Sequence, residues 1–107
     1  MKIFFSTRKL EKLCNTKKEA NKKFGDKNAK FLFKRLQQLK AVNQLGDFKF
    51  DKPHPLKGNK KDQFAITVFQ GVRLTFFAIE SAKDENNNII WNKVREININ
   101  YIGDYHE

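Results

Sequence analysis

Gln63-Phe64-Ala65-Ile66-Thr67-Val68-Phe69-Gln70-Gly71-Val72-Arg73-Leu74-Thr75-Phe76-Phe77-Ala78-Ile79 reads as two strands joined by a turn. Phe64, Ile66 and Val68 alternate with Ala65, Thr67 and Phe69, and Val72, Leu74 and Phe76 then alternate with Arg73, Thr75 and Phe77. A period of two in β-branched and aromatic residues marks a strand, because successive side chains leave a pleated backbone on opposite faces. Gln70-Gly71 between the runs supplies a two-residue hairpin connection. The fold therefore contains an antiparallel sheet, and the rest of the chain has to cover or extend it.

Downstream, Asp84-Glu85-Asn86-Asn87-Asn88 is turn chemistry. Ile89-Ile90-Trp91 is expected to pair briefly, with Trp91 serving the core or the sheet edge. Residues 94–102 alternate again and predict the last strand, with Arg95, Ile97, Ile99 and Tyr101 on one face. Upstream stands Lys52-Pro53-His54-Pro55-Leu56-Lys57-Gly58-Asn59-Lys60-Lys61, which holds both prolines, one of the two histidines and four lysines. Proline lacks a backbone donor and fixes φ, so this segment belongs in neither a helix interior nor a central strand. It predicts a stiff basic loop that carries an imidazole onto the edge of the sheet.

The first half of the chain is helical. Lys2-Ile3-Phe4-Phe5-Ser6 reads as a short strand, and Ser6 or Thr7 can cap a helix with Leu10, Leu13 and Cys14 on one stripe. Thr16-Lys17-Lys18-Glu19 has the spacing of a capping box, and Gly25 suits a helix C-terminus. Asp26 is then expected to cap a helix over about residues 27–42. Ala29, Leu32, Phe33, Leu36, Leu39 and Val42 form its apolar stripe, and Lys27, Lys30, Lys34, Arg35, Gln38 and Lys40 take the other side. Strand, helices, then an antiparallel meander is an α+β plan.

At 107 residues the chain is expected to be one domain, residues 1–107, and 39% apolar content with eleven phenylalanines argues for a folded globule. No run approaches the roughly 18 apolar residues of a membrane span, and no signal-peptide pattern stands at the start, so cytoplasmic residence is the expectation. One cysteine excludes an internal disulfide and a multi-cysteine zinc site; Cys14 on its apolar stripe reads as a small buried hydrophobe. The net charge is +10, and residues 1–50 carry 14 Lys/Arg against 4 Asp/Glu while residues 51–107 carry 8 against 8. Such an excess suits RNA or DNA first and an anionic membrane surface less well, with a merely solvated lysine-rich face as the bland alternative.

The two histidines, His54 and His106, flank the proposed meander. If the last strand runs beside the hairpin, Asp104, Tyr105 and His106 join Lys57, Lys60 and Arg73 around one cleft. That constellation suits cleavage of an RNA phosphodiester. A base must take the proton of the attacking 2′-hydroxyl, an acid must protonate the leaving 5′-oxygen, and cations must hold the charge on the phosphoryl oxygens. An imidazole of ordinary pKa, about 6.5, serves either proton transfer near neutral pH. Tyr105 can stack on a base. No metal and no cofactor is expected, because neither an acidic cluster nor a zinc ligand set is present.

At these residues the sequence resembles the HigB-type toxins of the RelE superfamily. The match runs through His54-Pro55-Leu56-Lys57-Gly58, Gln63-Phe64-Ala65-Ile66, Arg73-Leu74-Thr75-Phe76 and the terminal Asp104-Tyr105-His106. Ser6-Thr7-Arg8-Lys9-Leu10-Glu11-Lys12-Leu13, Lys23-Phe24-Gly25 and Arg35-Leu36-Gln37-Gln38-Leu39 are similar to the plasmid-maintenance killer branch. The resemblance implies a RelE-like microbial ribonuclease fold, with an N-terminal strand and helices packed on a small antiparallel sheet. It implies a toxin that enters the ribosomal A site, cleaves messenger RNA there and arrests growth until a cognate antitoxin silences it. It puts His54, Lys57, Arg73, Asp104, Tyr105 and His106 at catalytic positions, with Lys57 and Arg73 stabilising the phosphate. Lys52, Lys57, Lys60, Lys61 and Arg73 are the expected RNA-binding residues. The expected partners are an antitoxin with a helix-turn-helix domain, the ribosome and its message, and operator DNA only through the antitoxin. The exposed flank of the helices, residues 8–40, is expected to carry much of the antitoxin contact. Family members commonly have an acid where Asn59 stands, a glycine where Asp62 stands and an arginine where Lys60 stands. A non-catalytic toxin of the same fold, acting on a protein such as DNA gyrase, and a basic nucleic-acid-binding regulator are the rival readings.

Overall fold

The computed structural model of the chain describes residues 1–51, 53–56, 62–79 and 82–104. In chain order these form β1 (Lys2–Phe5), α1 (Arg8–Asn15), α2 (Lys17–Phe24), α3 (Asp26–Ala41), a 3₁₀ turn at Leu45–Asp47, β2 (His54–Pro55), β3 (Gln63–Phe69), β4 (Val72–Ala78), a second 3₁₀ turn at Trp91–Lys93 and β5 (Glu96–Asp104). The five strands make one sheet in the order β1-β5-β4-β3-β2. β5 lies antiparallel to β4 and parallel to β1, so the chain leaves one edge of the sheet, forms three helices and returns to build the remainder. The hairpin forms where the alternation predicts, pairing Phe64 with Phe76 and Ile66 with Leu74, but the register shifts between Thr67 and Phe69. Phe69 thereby pairs with Val72 and meets Phe24 of α2 edge-on instead of keeping to the face of Ala65 and Thr67. Among the described residues no helix is long and apolar enough to cross a membrane.

One face of the sheet is covered by the helices. Ile66, Leu74, Phe76, Ile97, Ile99 and Ile102 meet Leu13, Ala29, Leu32, Leu36 and Leu39 in one apolar cluster. Each fully buried leucine or isoleucine there contributes roughly 1.5–3 kcal/mol relative to exposure. Trp91 stacks on Phe64 and meets Phe76 edge-on, which closes the end of this core.

Local details differ from the sequence expectations for identifiable reasons. Thr7 caps α1 as expected, its Oγ1 accepting from the Leu10 amide at 3.1 Å. Thr16 stands at the N-cap of α2 without a side-chain bond, so the capping box does not form. The cap of α3 is Gly25, at φ 87°, and Asp26 instead occupies the first turn, where its charge suits the helix dipole. Ile89 pairs only as an isolated bridge with Lys83. Asp62, where the resembling family carries glycine, has φ 70°, a left-handed conformation that aspartate tolerates better than most residues.

The largest departure is in β5. It runs Glu96–Asp104, two residues beyond the expected end, and contains a bulge. Thr75 pairs with Tyr101 whereas Phe76 pairs with Ile99, leaving Asn100 as the extra residue. Tyr101 therefore leaves the face of Ile97 and Ile99 and turns to the opposite one.

Candidate active site on the open face of the sheet

The face turned away from the helices is polar. Its middle row runs His54, Ala65, Thr75 and Tyr101 across four strands. The next row toward the hairpin tip is Thr67, Arg73 and Gly103. His54 and Arg73 thus share one face two strands and one row apart, about 12 Å between backbones from ordinary strand spacing. That is within reach of two side chains gripping one phosphodiester.

His54 is positioned by its neighbours. The Asp51 carboxylate accepts from the Thr67 amide at 2.8 Å, while Arg35 Nε donates to the Thr67 carbonyl at 3.1 Å. Both backbone groups at that point of the β3 edge are thereby satisfied by side chains. Beyond His54, the Leu56 amide donates to the Gln63 carbonyl at 3.0 Å, and the Leu56 side chain is buried. The two prolines fit an edge strand of two residues, where a missing N–H removes no ladder bond inside the sheet. The imidazole itself is exposed.

A hydrogen-bonded relay lies beside it. Buried Thr75 donates from Oγ1 to Asn100 Oδ1 at 2.6 Å, and Asn100 Nδ2 donates to Gln63 Oε1 at 2.7 Å. The bulge thus places an amide where it joins β3, β4 and β5, fixing the floor of the site. The hydroxyl end of the Tyr101 ring passes over Gly103. A Cβ on Gly103 would stand 2.5 Å from the Tyr101 hydroxyl and 2.8 Å from Cζ, so only glycine leaves the ring room there.

Asp104 falls at the end of β5 opposite Val72, out of phase with Arg73 and Gly103, and its Oδ1 would stand 3.2 Å from a Cβ on Gly71. Its carboxylate is thus at the hairpin turn rather than in the row of Arg73. Of the residues expected from sequence, His54 and Arg73 lie on the same face of the sheet, two strands and one row apart, and Asp104 lies at the end of β5 by the hairpin turn. Lys52, Lys57, Lys60, Lys61, Tyr105 and His106 lie outside the described residues.

Sequence reasoning passed over Tyr101, the Thr75–Asn100–Gln63 relay, Asp51 as the anchor of the histidine segment, and Arg35 as the tie between α3 and β3. For Tyr101 a signal was present. Ile97 and Ile99 keep the period of two, but the next apolar residue on the core face is Ile102, three positions on. Such a skip inside a strand is the mark of a bulge. Side-chain caps on a strand edge, by contrast, leave no trace in periodicity.

Cys14 is buried, and that burial pushes its thiol up to about 12, partly opposed by the charge of Lys40. It is a packing residue, as its stripe implies.

No protein-family model matches the sequence. Among curated proteins there is likewise no significant match. Solved structures do match, over nearly the whole chain. The YoeB/ParE toxin from Agrobacterium tumefaciens superposes with a TM-score of 0.60 at 11% identity, covering 99% of this chain and 100% of that one. The YoeB-YefM complex from Staphylococcus aureus gives 0.59 at 18% identity, covering 100% of this chain and 98% of that one. The YoeB dimer from the same organism gives 0.57 at 19% identity, with the same coverage. The chain therefore has the α+β fold of these YoeB and YoeB/ParE toxins, with three helices against one face of a five-stranded sheet among the described residues.

Proposed function

We propose that the protein is the toxin of a type II toxin–antitoxin pair, a single domain of the HigB branch, and that it cleaves messenger RNA in the ribosomal A site. The observation that carries this reading is the sharing of one sheet face, the one turned away from the helices, by His54, Arg73 and Tyr101. The shared fold with YoeB and YoeB/ParE toxins supports it, as does the +10 charge. The YoeB-YefM complex supports a protein partner, here the cognate antitoxin.

In this mechanism His54 and His106 divide the proton transfers. One takes the proton of the 2′-hydroxyl as its oxygen attacks phosphorus, and the other protonates the 5′-oxygen as the P–O5′ bond breaks. Arg73 and Lys57 hold the phosphoryl oxygens, where negative charge accumulates. Tyr101 and Tyr105 offer rings for base stacking, and Asp104 orients a neighbour at the rim. Lys52, Lys60 and Lys61 follow the RNA backbone. The product ends in a 2′,3′-cyclic phosphate, and the chain's own residues supply all the proton transfers. The site of action is the cytoplasm, and operator DNA is met only through the antitoxin.

The test is cleavage of a ribosome-bound message in a purified translation system, with growth arrest scored in parallel. Arrest without cleavage would turn the reading to the non-catalytic toxin of the same fold. Ribosome binding should also weaken as salt rises, through counterion release.

A further inference from the structure

The open face of the sheet carries more aromatic surface than the proposed cleavage uses. β1 pairs Phe4 with Asn98 of β5, and Asn98 pairs in turn with Phe77 of β4. This row lies next to that of Thr75 and Tyr101, on the side away from Arg73. Ile3 and Phe5 pack on the core under the helices, so Phe4 between them points the other way. Phe4 is 46% exposed and Tyr101 41%, two of the four large hydrophobic side chains left exposed among the described residues, and Phe77 is half-buried. Tyr101 stands diagonally from Phe77, about 8 Å between backbones. Phe4 lies two strands from Phe77, about 10 Å away. Asn98 separates these two rings, and its Oδ1 accepts from Ser6 Oγ at 2.7 Å, which leaves the amide N–H groups as donors between them.

From this we infer that Tyr101, Phe77 and Phe4 form a stacking platform for two or three bases of a single-stranded RNA, which the chain binds without the ribosome. His54 and Arg73 mark the point of cleavage, and the strand leaves it across β4 and β5 toward β1. Every base has a π face, so the platform requires unpaired bases and tolerates most sequences. A duplex hides those faces against its own neighbours. An apolar protein surface is the poorer occupant, because it would bury the Asn98 amide between the rings without an acceptor, whereas base edges supply one. The choice of RNA rests on the toxin reading, with the scissile phosphate at His54 and Arg73. Independence from the ribosome rests on the platform alone.

The experiment measures binding of the purified chain, without ribosomes, to a labelled single-stranded RNA by fluorescence anisotropy. Its sugars carry 2′-O-methyl groups so that it cannot be cut. An abasic strand of equal length and a duplex of the same sequence serve as controls, because both keep the phosphates and withhold the bases. Phe4→Leu and Phe77→Leu keep apolar bulk while removing the ring, and each should weaken binding by roughly fivefold to hundredfold. Phe4→Tyr keeps a ring and should bind as the wild type does, which separates stacking from any loss of folding. The wild type should prefer the single strand to both controls, and the two leucine variants should lose most of that preference. Equal affinity of the wild type for the abasic strand, or wild-type affinity in both leucine variants, overturns the platform and leaves the toxin reading to cleavage on programmed ribosomes. Absence of binding to the single strand overturns it as well. Preference for the single strand in a chain that cuts nothing on programmed ribosomes would sustain the platform and sink the toxin reading. A wild-type dimer that Phe4→Leu disperses would assign Phe4 to a second copy and overturn the proposal.

Discussion

Replacing Gly103 with alanine tests the site without removing any functional group. The new Cβ would stand 2.5 Å from the Tyr101 hydroxyl, whereas ordinary contact begins at 3.4 Å. The ring must therefore move by about 1 Å, and a misplacement of that size can cost about 10²-fold in rate. Stability should change little. Gly103 has an ordinary strand backbone, where alanine is favoured over glycine by roughly 0.5–1 kcal/mol, which offsets part of the cost of moving the ring. The assay is cleavage of a ribosome-bound message by Gly103→Ala, Tyr101→Phe and Tyr101→Ala, with thermal unfolding as the control. Tyr101→Phe keeps the ring and should retain most activity if stacking matters, while Gly103→Ala and Tyr101→Ala should both fall about 10²-fold. Wild-type rates in both of the latter would refute the assignment of Tyr101 to the site.

Three further outcomes follow from the packing and the titration of single groups. Thr75→Val removes the buried hydroxyl that donates to Asn100 and should cost about 1–3 kcal/mol in urea unfolding; an unchanged midpoint would mean the relay holds nothing. Thr7→Ala removes the cap of α1 and should cost about 1 kcal/mol, read in the same way. The Cys14 thiol, raised from its ordinary value near 9 to about 12, favours the folded state below pH 9, and that contribution fades as pH rises from 9 toward 12. Cys14→Ala should therefore flatten the fall in stability across that window, and iodoacetamide should label the wild type only on unfolding; an equal slope in both proteins would contradict the burial argument.

What the sequence discloses follows from what each signal depends on. The hairpin and the apolar stripe of α3 rest on local alternation, and residues 63–78 and 26–41 show it plainly. The prolines around His54 likewise state their own restriction, and the histidine sits on a sheet edge as they require. The partnership of β1 with β5 could not be read, because a parallel pairing after three helices leaves no mark in either strand. Asp51 fastens the histidine segment to Thr67 across 16 residues and Arg35 ties α3 to the same residue across 32, and only the folded chain brings them there. Unbroken alternation puts Tyr101 on one face with Ile97 and Ile99, whereas the bulge that the Ile99-to-Ile102 spacing announces turns it to the other.

The central claim is that the open face of the sheet breaks RNA through an imidazole and a guanidinium. It is tested most directly by incubating programmed ribosomes with the wild type, His54→Ala and Arg73→Ala, and resolving the cut message and its new 3′ end. The account predicts cleavage by the wild type with a 2′,3′-cyclic phosphate terminus. It predicts losses of about 10²–10⁴-fold for His54→Ala and about 10²–10³-fold for Arg73→Ala, with folding and antitoxin binding retained. Cleavage by both folded variants at the wild-type rate would contradict it.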